Sequence, residues 1–308
     1  MNAPEKLRAD PVRIDTAQQT PAQRARYCTS ENPFTFGYPP VPIRQFLPER
    51  DRAFDASTPT STIALDASDD LATAYMATTP TLLCRYFRIR AGEELRTAFA
   101  ASSEVFYVMY GSGESRNQGE TIVWGSGDVL CFPSGQTVHR AQADAMLFGV
   151  SDEPLLAFEG LQPPPAGKQV VKATHWPAAE IENVFQGVYA RPRTIRTTGC
   201  SVMFSCHDFA PGYHTTPLIN TAINTLEARG DQRPHRHNGA AITLAIQGEG
   251  IHSMIEDKRV DWSDGAAQIT PGSLLHSHHN RSDKRMRSFV IQDEGLHYYT
   301  RTPGFSFG

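Results

Sequence analysis

No apolar run in this 308-residue chain approaches the roughly 20 residues that cross a bilayer as a helix, so no membrane partner is expected. Cysteine is scarce. Cys28, Cys84, Cys131, Cys200 and Cys206 are odd in number, scattered, and never spaced Cys-x-x-Cys. That pattern excludes a disulfide framework and a thiolate zinc site, and leaves buried thiols as the expectation. Strong charge of either sign is also missing: the net charge is -4. With no basic patch and no DNA-binding helix pair, nucleic acid is not an expected partner. The first residues, Met1-Asn2-Ala3-Pro4-Glu5-Lys6, contain no apolar signal core, which makes a cytoplasmic location the expectation.

What is present has a globular balance, 40% hydrophobic and 20% charged, and the length suggests two domains that can each bury a core. Glycine (23) and proline (22) are spread throughout, as short strands joined by turns require. Residues 1–75 are rich in Ala, Thr, Asp and Pro and read as an N-terminal arm, with a helix around Thr16 to Tyr27 and an aromatic-proline segment from Phe34. From Thr79, short alternating apolar runs such as Val105-Phe-Tyr-Val-Met-Tyr predict strands of an all-β barrel or sandwich over 76–165. The Pro163-Pro164-Pro165 break ends that unit. A linker (166–199) with a helix from Pro177 to Phe185 follows, then a second β-rich unit over 200–308.

The two units repeat each other. Gly111 precedes Gly127 by 16 positions and Pro133 follows Gly127 by six; Gly248 precedes Gly265 by 17 and Pro271 follows by six.

The second unit carries a histidine constellation. Residues two apart on a strand share a face, so His235 and His237 can present two ring nitrogens to one point, and His276 from a later strand adds a third. Neutral imidazole is the commonest side-chain ligand for a functional transition metal. Three such ligands leave one side of an ion open to substrate.

These residues resemble the two cupin motifs, G(x)5HxH(x)3-4E(x)6G and G(x)5PxG(x)2H(x)3N. The second unit reads His235-x-His237-(x)3-Ala241-(x)6-Gly248, then Gly265-(x)5-Pro271-x-Ser273-(x)2-His276-(x)3-Asn280. Ala241 stands where many cupins place a ligating glutamate, and Ser273 replaces a turn glycine. The resemblance implies two double-stranded β-helix barrels with an N-terminal arm. Laid on the first unit it puts Ala98, Ala100 and Val138 in the histidine slots, keeps Glu104, and sets His139 one residue late on the wrong face, so that barrel is expected to lack a metal.

The wording around His235-Arg-His237 and Thr270-Pro271 is similar to gentisate 1,2-dioxygenase-like bicupins, the ring-cleaving branch of the family. That similarity implies Fe(II) held by His235, His237 and His276, with O2 and a small chelating aromatic acid as partners, and a homo-oligomer. A nearby histidine such as His278 is expected to move protons if its pKa lies near neutrality. Relatives place an arginine for the substrate carboxylate where this chain has Thr243, and a threonine cannot form a bidentate charged clamp. Thr243, Gln247, Arg285 and Arg287 are therefore the expected substrate contacts, with gentisate itself disfavoured. The competing expectation is a non-redox cupin (isomerase, hydrolase or decarboxylase) using Zn, Mn or Ni, or a small-molecule-binding cupin.

Overall fold

The computed structural model describes residues 19–27, 37–192 and 199–308. The architecture is all-β with two barrels, each made of two facing sheets. In the first barrel the strands Leu83–Ile89, Ala145–Ser151, Ser103–Tyr110 and Val129–Pro133 lie side by side, flanked by Ser61–Ala64 and Thr174–Trp176. The facing sheet orders Glu94–Thr97, Thr137–Ala141, Ser112–Asn117 and Glu120–Gly125.

The second barrel repeats this order strand for strand. Asn220–Leu226, Met286–Gln292, Ala241–Gln247 and Ala267–Thr270 form one sheet, with Cys200–Phe204 at its edge. His235–His237, His276–Asn280, Ile251–Ile255 and Lys258–Asp261 form the other, closed on its far side by the C-terminal strand Phe305–Phe307.

The large sheets have no polar face in solvent, which is why their strands read as nearly unbroken apolar runs. One set of side chains fills each barrel; the alternate set meets the other barrel. Across that seam Tyr107 stacks on Phe289 with ring centroids 5.2 Å apart, and the Tyr86 hydroxyl donates to the Gly265 carbonyl at 2.7 Å. Tyr86, Val105, Ile242, Ile269 and Phe289 are all buried in this shared core.

The expected arm contributes pairing to both barrels. Arg44 and Phe46 bond the main chain of Ala267–Thr270 in the second barrel (Phe46 N to Ala267 O, 2.9 Å; Ile269 N to Arg44 O, 2.8 Å). Ser61–Ala64 pairs antiparallel with Leu83–Ile89 in the first. Of the helix expected around Thr16 to Tyr27, the described part is the short turn Pro21–Arg24, capped reciprocally by Thr20 and Gln23; residues 16–18 lie outside the described residues, as do Phe34–Phe36 of the aromatic-proline segment and Cys28. The expected linker helix spans Ala178–Tyr189 and buries Ile181 and Phe185, four apart on one face.

Candidate metal centre

The strand His235–His237 pairs antiparallel with His276–Asn280, with His235 directly opposite His276. Both ends of the three-residue strand face the barrel interior. The ligand atoms of His235, His237 and His276 lie within 4.8 Å of one another. The His276 ring centroid is 4.3 Å from that of His235 and 4.5 Å from that of His237.

Each ring is turned by a main-chain carbonyl. Nδ1 lies 3.1 Å from Arg233 O in His235, 2.6 Å from Gly239 O in His237, and 2.9 Å from Leu274 O in His276. A carbonyl only accepts, so each Nδ1 carries the proton and each Nε2 keeps its lone pair. That is how ligating histidines are oriented in metal sites. The anchor at Gly239 has no room for a side chain: a Cβ there would meet Asp293 Oδ1 and Glu294 Cγ at 2.6 Å. Buried Glu294 accepts the Gly239 N–H at 3.3 Å and the Tyr298 hydroxyl at 2.9 Å.

Burial keeps all three rings neutral. It depresses His237 to about 4, and depresses His276, which also faces His237 and His235, to about 2. His235 is lowered for the same reason. Three convergent, neutral, pre-oriented imidazoles fit one divalent transition-metal ion.

His278 is held differently. Its Nδ1 lies 2.8 Å from Ser253 Oγ. Ser253 Oγ also receives N–H bonds from Trp262 Nε1 and Gln268 Nε2, both at 2.8 Å. With both serine lone pairs occupied, the hydroxyl proton points to His278 Nδ1, and the His278 proton sits on Nε2. Burial pushes this ring down to about 3. Burial thus favours the neutral form of the ring expected to move protons.

The expected substrate contacts separate. Thr243 is buried in the barrel, on the inward face of its strand. Gln247 is exposed six residues from Ala241, about 20 Å along the strand at its 3.4 Å rise. Arg285 and Arg287 lie outside the barrel against the linker helix: Arg285 over the Tyr189 ring at 4.1 Å, Arg287 over Phe185 at 5.0 Å and 2.5 Å from Glu182. The β-bulge near Ala245 carries Gln247 out, and strand alternation turns both arginines away because Met286 and Ser288 face in.

The slots read into the first barrel are corrected as well. Ala98 and Ala100 are exposed, and Thr97 is the buried partner of buried Thr137, in the register where His235 meets His276. Val138 points outward, while His139 is fully buried inside the barrel. The turn after Pro133 is one residue shorter than the turn after Pro271, so His139 is the counterpart of His278 rather than of His276. Ser115 lies 2.7 Å from its Nδ1, and Trp124 Nε1 donates to Ser115 at 2.8 Å. The nine-residue spacings Ser115 to Trp124 and Ser253 to Trp262 were visible as part of the internal repeat, and would have found the Ser253–Trp262–His278 network that sequence reasoning missed.

A cleft of about 750 Å³ opens between His214, Pro211, Tyr298 and Arg301, with none of the three histidines in its lining. It adjoins the site through Tyr298, bonded to Glu294, and through His214, which lies against Asn220.

Residues 223–292 match the cupin domain family. A 5-aminosalicylate 1,2-dioxygenase from Comamonas sp. is 35% identical over 86 residues, 27% of this chain and 23% of that protein. A gentisate 1,2-dioxygenase from Streptomyces sp. is 31% identical over 80 residues, 25% of this chain and 22% of that protein. The matched stretch thus spans less than a quarter of either relative. The crystal structure of a salicylate 1,2-dioxygenase from Pseudaminobacter salicylatoxidans superposes over 96% of this chain and 93% of its own, with a TM-score of 0.70 and 10% identity. The fold is the two-barrel cupin fold, and the second barrel is gentisate 1,2-dioxygenase-like in sequence.

Proposed function

We propose that this protein is an Fe(II)-dependent ring-cleaving dioxygenase acting on a hydroxylated aromatic acid or a related chelating substrate, with O2 as co-substrate. The observation that carries the reading is the convergence of His235, His237 and His276 with every Nδ1 tied to a carbonyl. The similarity of the second barrel to two dioxygenases that act on hydroxylated aromatic acids supports the choice of chemistry.

When bound, ferrous iron supplies a chelation point for adjacent substrate oxygens and the means of activating O2. His235, His237 and His276 would hold it through Nε2. Because all three are neutral and Ala241 brings no carboxylate, the ligand set leaves the full dicationic charge to attract an anionic chelate. His278 would orient the bound substrate: its Nε2–H, fixed by Ser253, is a donor that keeps its proton and stabilises negative charge developing nearby. Leu226, Ala245, Ile251, Trp262 and Met286 form an apolar plug at the other end of the barrel and keep bulk water from that side.

The test is anaerobic reconstitution with Fe(II), then oxygen uptake with a panel of hydroxylated aromatic acids. Stoichiometric O2 consumption with loss of the aromatic absorbance is expected. Turnover that proceeds without O2, or with Zn, Mn or Ni alone, would instead establish a non-redox cupin.

A further inference from the structure

The duplicated fold supplies its own control. Strand register equates Leu83–Phe87 with Asn220–Asn224 and Glu104–Phe106 with Ala241–Thr243, because each pair of strands meets its neighbours in the same frame. Arg85, Glu104, Ser115 and His139 are buried inside the first barrel, but five other inward positions there carry hydrocarbon. Phe87, Phe106, Phe132, Leu130 and Leu147 pack as one buried cluster. Their equivalents in the second barrel are Asn224, Thr243, Thr270, Gln268 and Ser288. At those five positions the first barrel packs hydrocarbon on hydrocarbon, which needs no partner from outside.

The second barrel's polar lining is not self-satisfied. Among the described residues, Gln268 Oε1, Thr270 Oγ1 and Ser288 Oγ are buried without a hydrogen-bond partner, and the Asn220 amide has only the His214 ring against it. Buried polar groups left in this state are rare and call for an outside partner. Asn220 and Thr270 share a row with Ala241, two residues beyond Gly239, whose carbonyl anchors His237. Gln268 and Thr243 form the next row down. The unpaired set therefore begins beside the three histidines and extends into the barrel.

The chemistry of the set is specific. Thr270 and Ser288 offer hydroxyls, Gln268 offers its unpaired carbonyl beside an NH2 that gives one hydrogen to Ser253, and Asn220 offers the part of its amide not taken by His214. Among the described residues, no Lys or Arg side chain occupies an inward position of the Asn220–Leu226, Ala241–Gln247, Ala267–Thr270 or Met286–Gln292 strands; Arg287 faces out. A second carboxylate buried there would only accept, would leave Gln268 Oε1 unpaired, and would have no cation to offset its lost hydration.

Building on the chelating metal site proposed above, we infer that Asn220, Gln268 and Thr270 determine specificity, selecting a chelating substrate whose substituent remote from the metal is an uncharged group that both donates and accepts hydrogen bonds, such as a hydroxyl, amine or carboxamide, and rejecting one that is anionic or purely apolar.

The experiment is calorimetric titration of the Fe(II)-loaded protein under argon with three catechols that differ only at the 4-position: carboxamide, carboxylate and methyl. The carboxamide is expected to bind at least about tenfold more tightly than either of the others, since a site built to hydrogen-bond rejects analogues that leave its groups unpaired. Asn220→Leu and Thr270→Val, with shape nearly kept, are expected to shrink that gap severalfold while retaining about one iron per chain. Equal or tighter binding of the carboxylate or the methyl compound overturns the inference, and so does an unchanged preference in both variants. Because no oxygen is present, the binding preference is independent of turnover. An intact preference with no oxygen uptake would overturn the dioxygenase reading and leave this one standing.

Discussion

Nδ1 of His278 lies 2.8 Å from Ser253 Oγ, and that one hydroxyl also takes N–H bonds from Trp262 and Gln268. A single buried oxygen thereby sets a histidine tautomer and satisfies an indole and an amide. Ser253→Ala strands three buried polar groups at once. It is expected to lower stability by about 2–4 kcal/mol, at roughly 1–3 kcal/mol for a stranded group with partial relaxation. Oxygen-uptake kcat is expected to fall about tenfold as the His278 ring loses its orientation. Thermal unfolding and steady-state kinetics check the two effects separately. A variant with native stability and native kcat would show that the network has no role.

The three-histidine set predicts a sharp division among neighbouring residues. His235→Ala, His237→Ala and His276→Ala should each lower iron content after desalting from about one per chain to below about 0.1. Loss of one of three ligands weakens binding by more than the 10–100-fold typical of supporting residues. His278→Gln and His139→Ala should keep about one iron, since neither ring belongs to the convergent group. Metal analysis on chelator-washed protein decides the matter; retention of iron by His276→Ala would remove the proposed centre.

Much of this was legible in the sequence, for identifiable reasons. The strands, the duplication and the histidine trio follow from short-range spacing, which alternation along a strand converts directly into geometry. Even Asn280 explains itself: its amide donates to the carbonyls of Leu226, Glu227 and Lys284, tying off the loop that the motif brackets. What failed was anything that depends on a one-residue shift. Reading Ala98, Ala100 and Val138 as inward put the wrong face of two strands into the first barrel, because the loop from Thr97 to Glu104 is one residue longer than its counterpart, the turn after Pro133 is one shorter, and either change reverses the face. Gln247, Arg285 and Arg287 were misplaced by a bulge and by parity. The polar lining of the second barrel has no local signature: Asn220 lies on a strand far in sequence from the one that carries Gln268 and Thr270, and only cross-strand register assembles them.

Glu104 predicts a pH dependence of stability in the first barrel. Its carboxyl is buried, has an unpaired Oε2, and is pushed up to about 8, first by burial and then by Glu153, against the opposing effect of Arg85. The folded protein holds this proton up to about pH 8, whereas the unfolded chain releases it near 4.5. The native state thus binds more protons between those values, and stability falls as pH rises through them, by up to about 1.4 kcal/mol per pH unit. Stability from the neutral carboxyl is complete below pH 4.5 and gone above about 8. Glu104→Gln should flatten this decline, so that the variant gains on the parent from pH 5 to pH 9. Urea midpoints measured across that range test it, and parallel profiles would contradict the assignment.

The turn before His276 contains a second adjustable element. Ser273 sits at φ +67°, in the left-handed region, where the first barrel has Gly135 at φ +124°. A residue with a Cβ is strained there by about 1–2 kcal/mol, partly offset because glycine loses more backbone entropy on folding, about 0.5–1 kcal/mol. Ser273→Gly is therefore expected to stabilise the protein by up to about 1 kcal/mol, about 1–3 °C in Tm for a chain of this size. The contacts Ser273 makes to the site are main-chain: its N–H donates to His237 O at 2.7 Å and its carbonyl accepts Arg236 Nη1 at 3.0 Å. Removing the side chain leaves both in place, so iron content should not change. The reverse substitution, Gly135→Ser, is expected to be the more harmful of the pair, because φ +124° lies beyond the left-handed well that a serine can occupy. Calorimetric Tm values for the two variants test the asymmetry, and a destabilised Ser273→Gly with a neutral Gly135→Ser would reverse it.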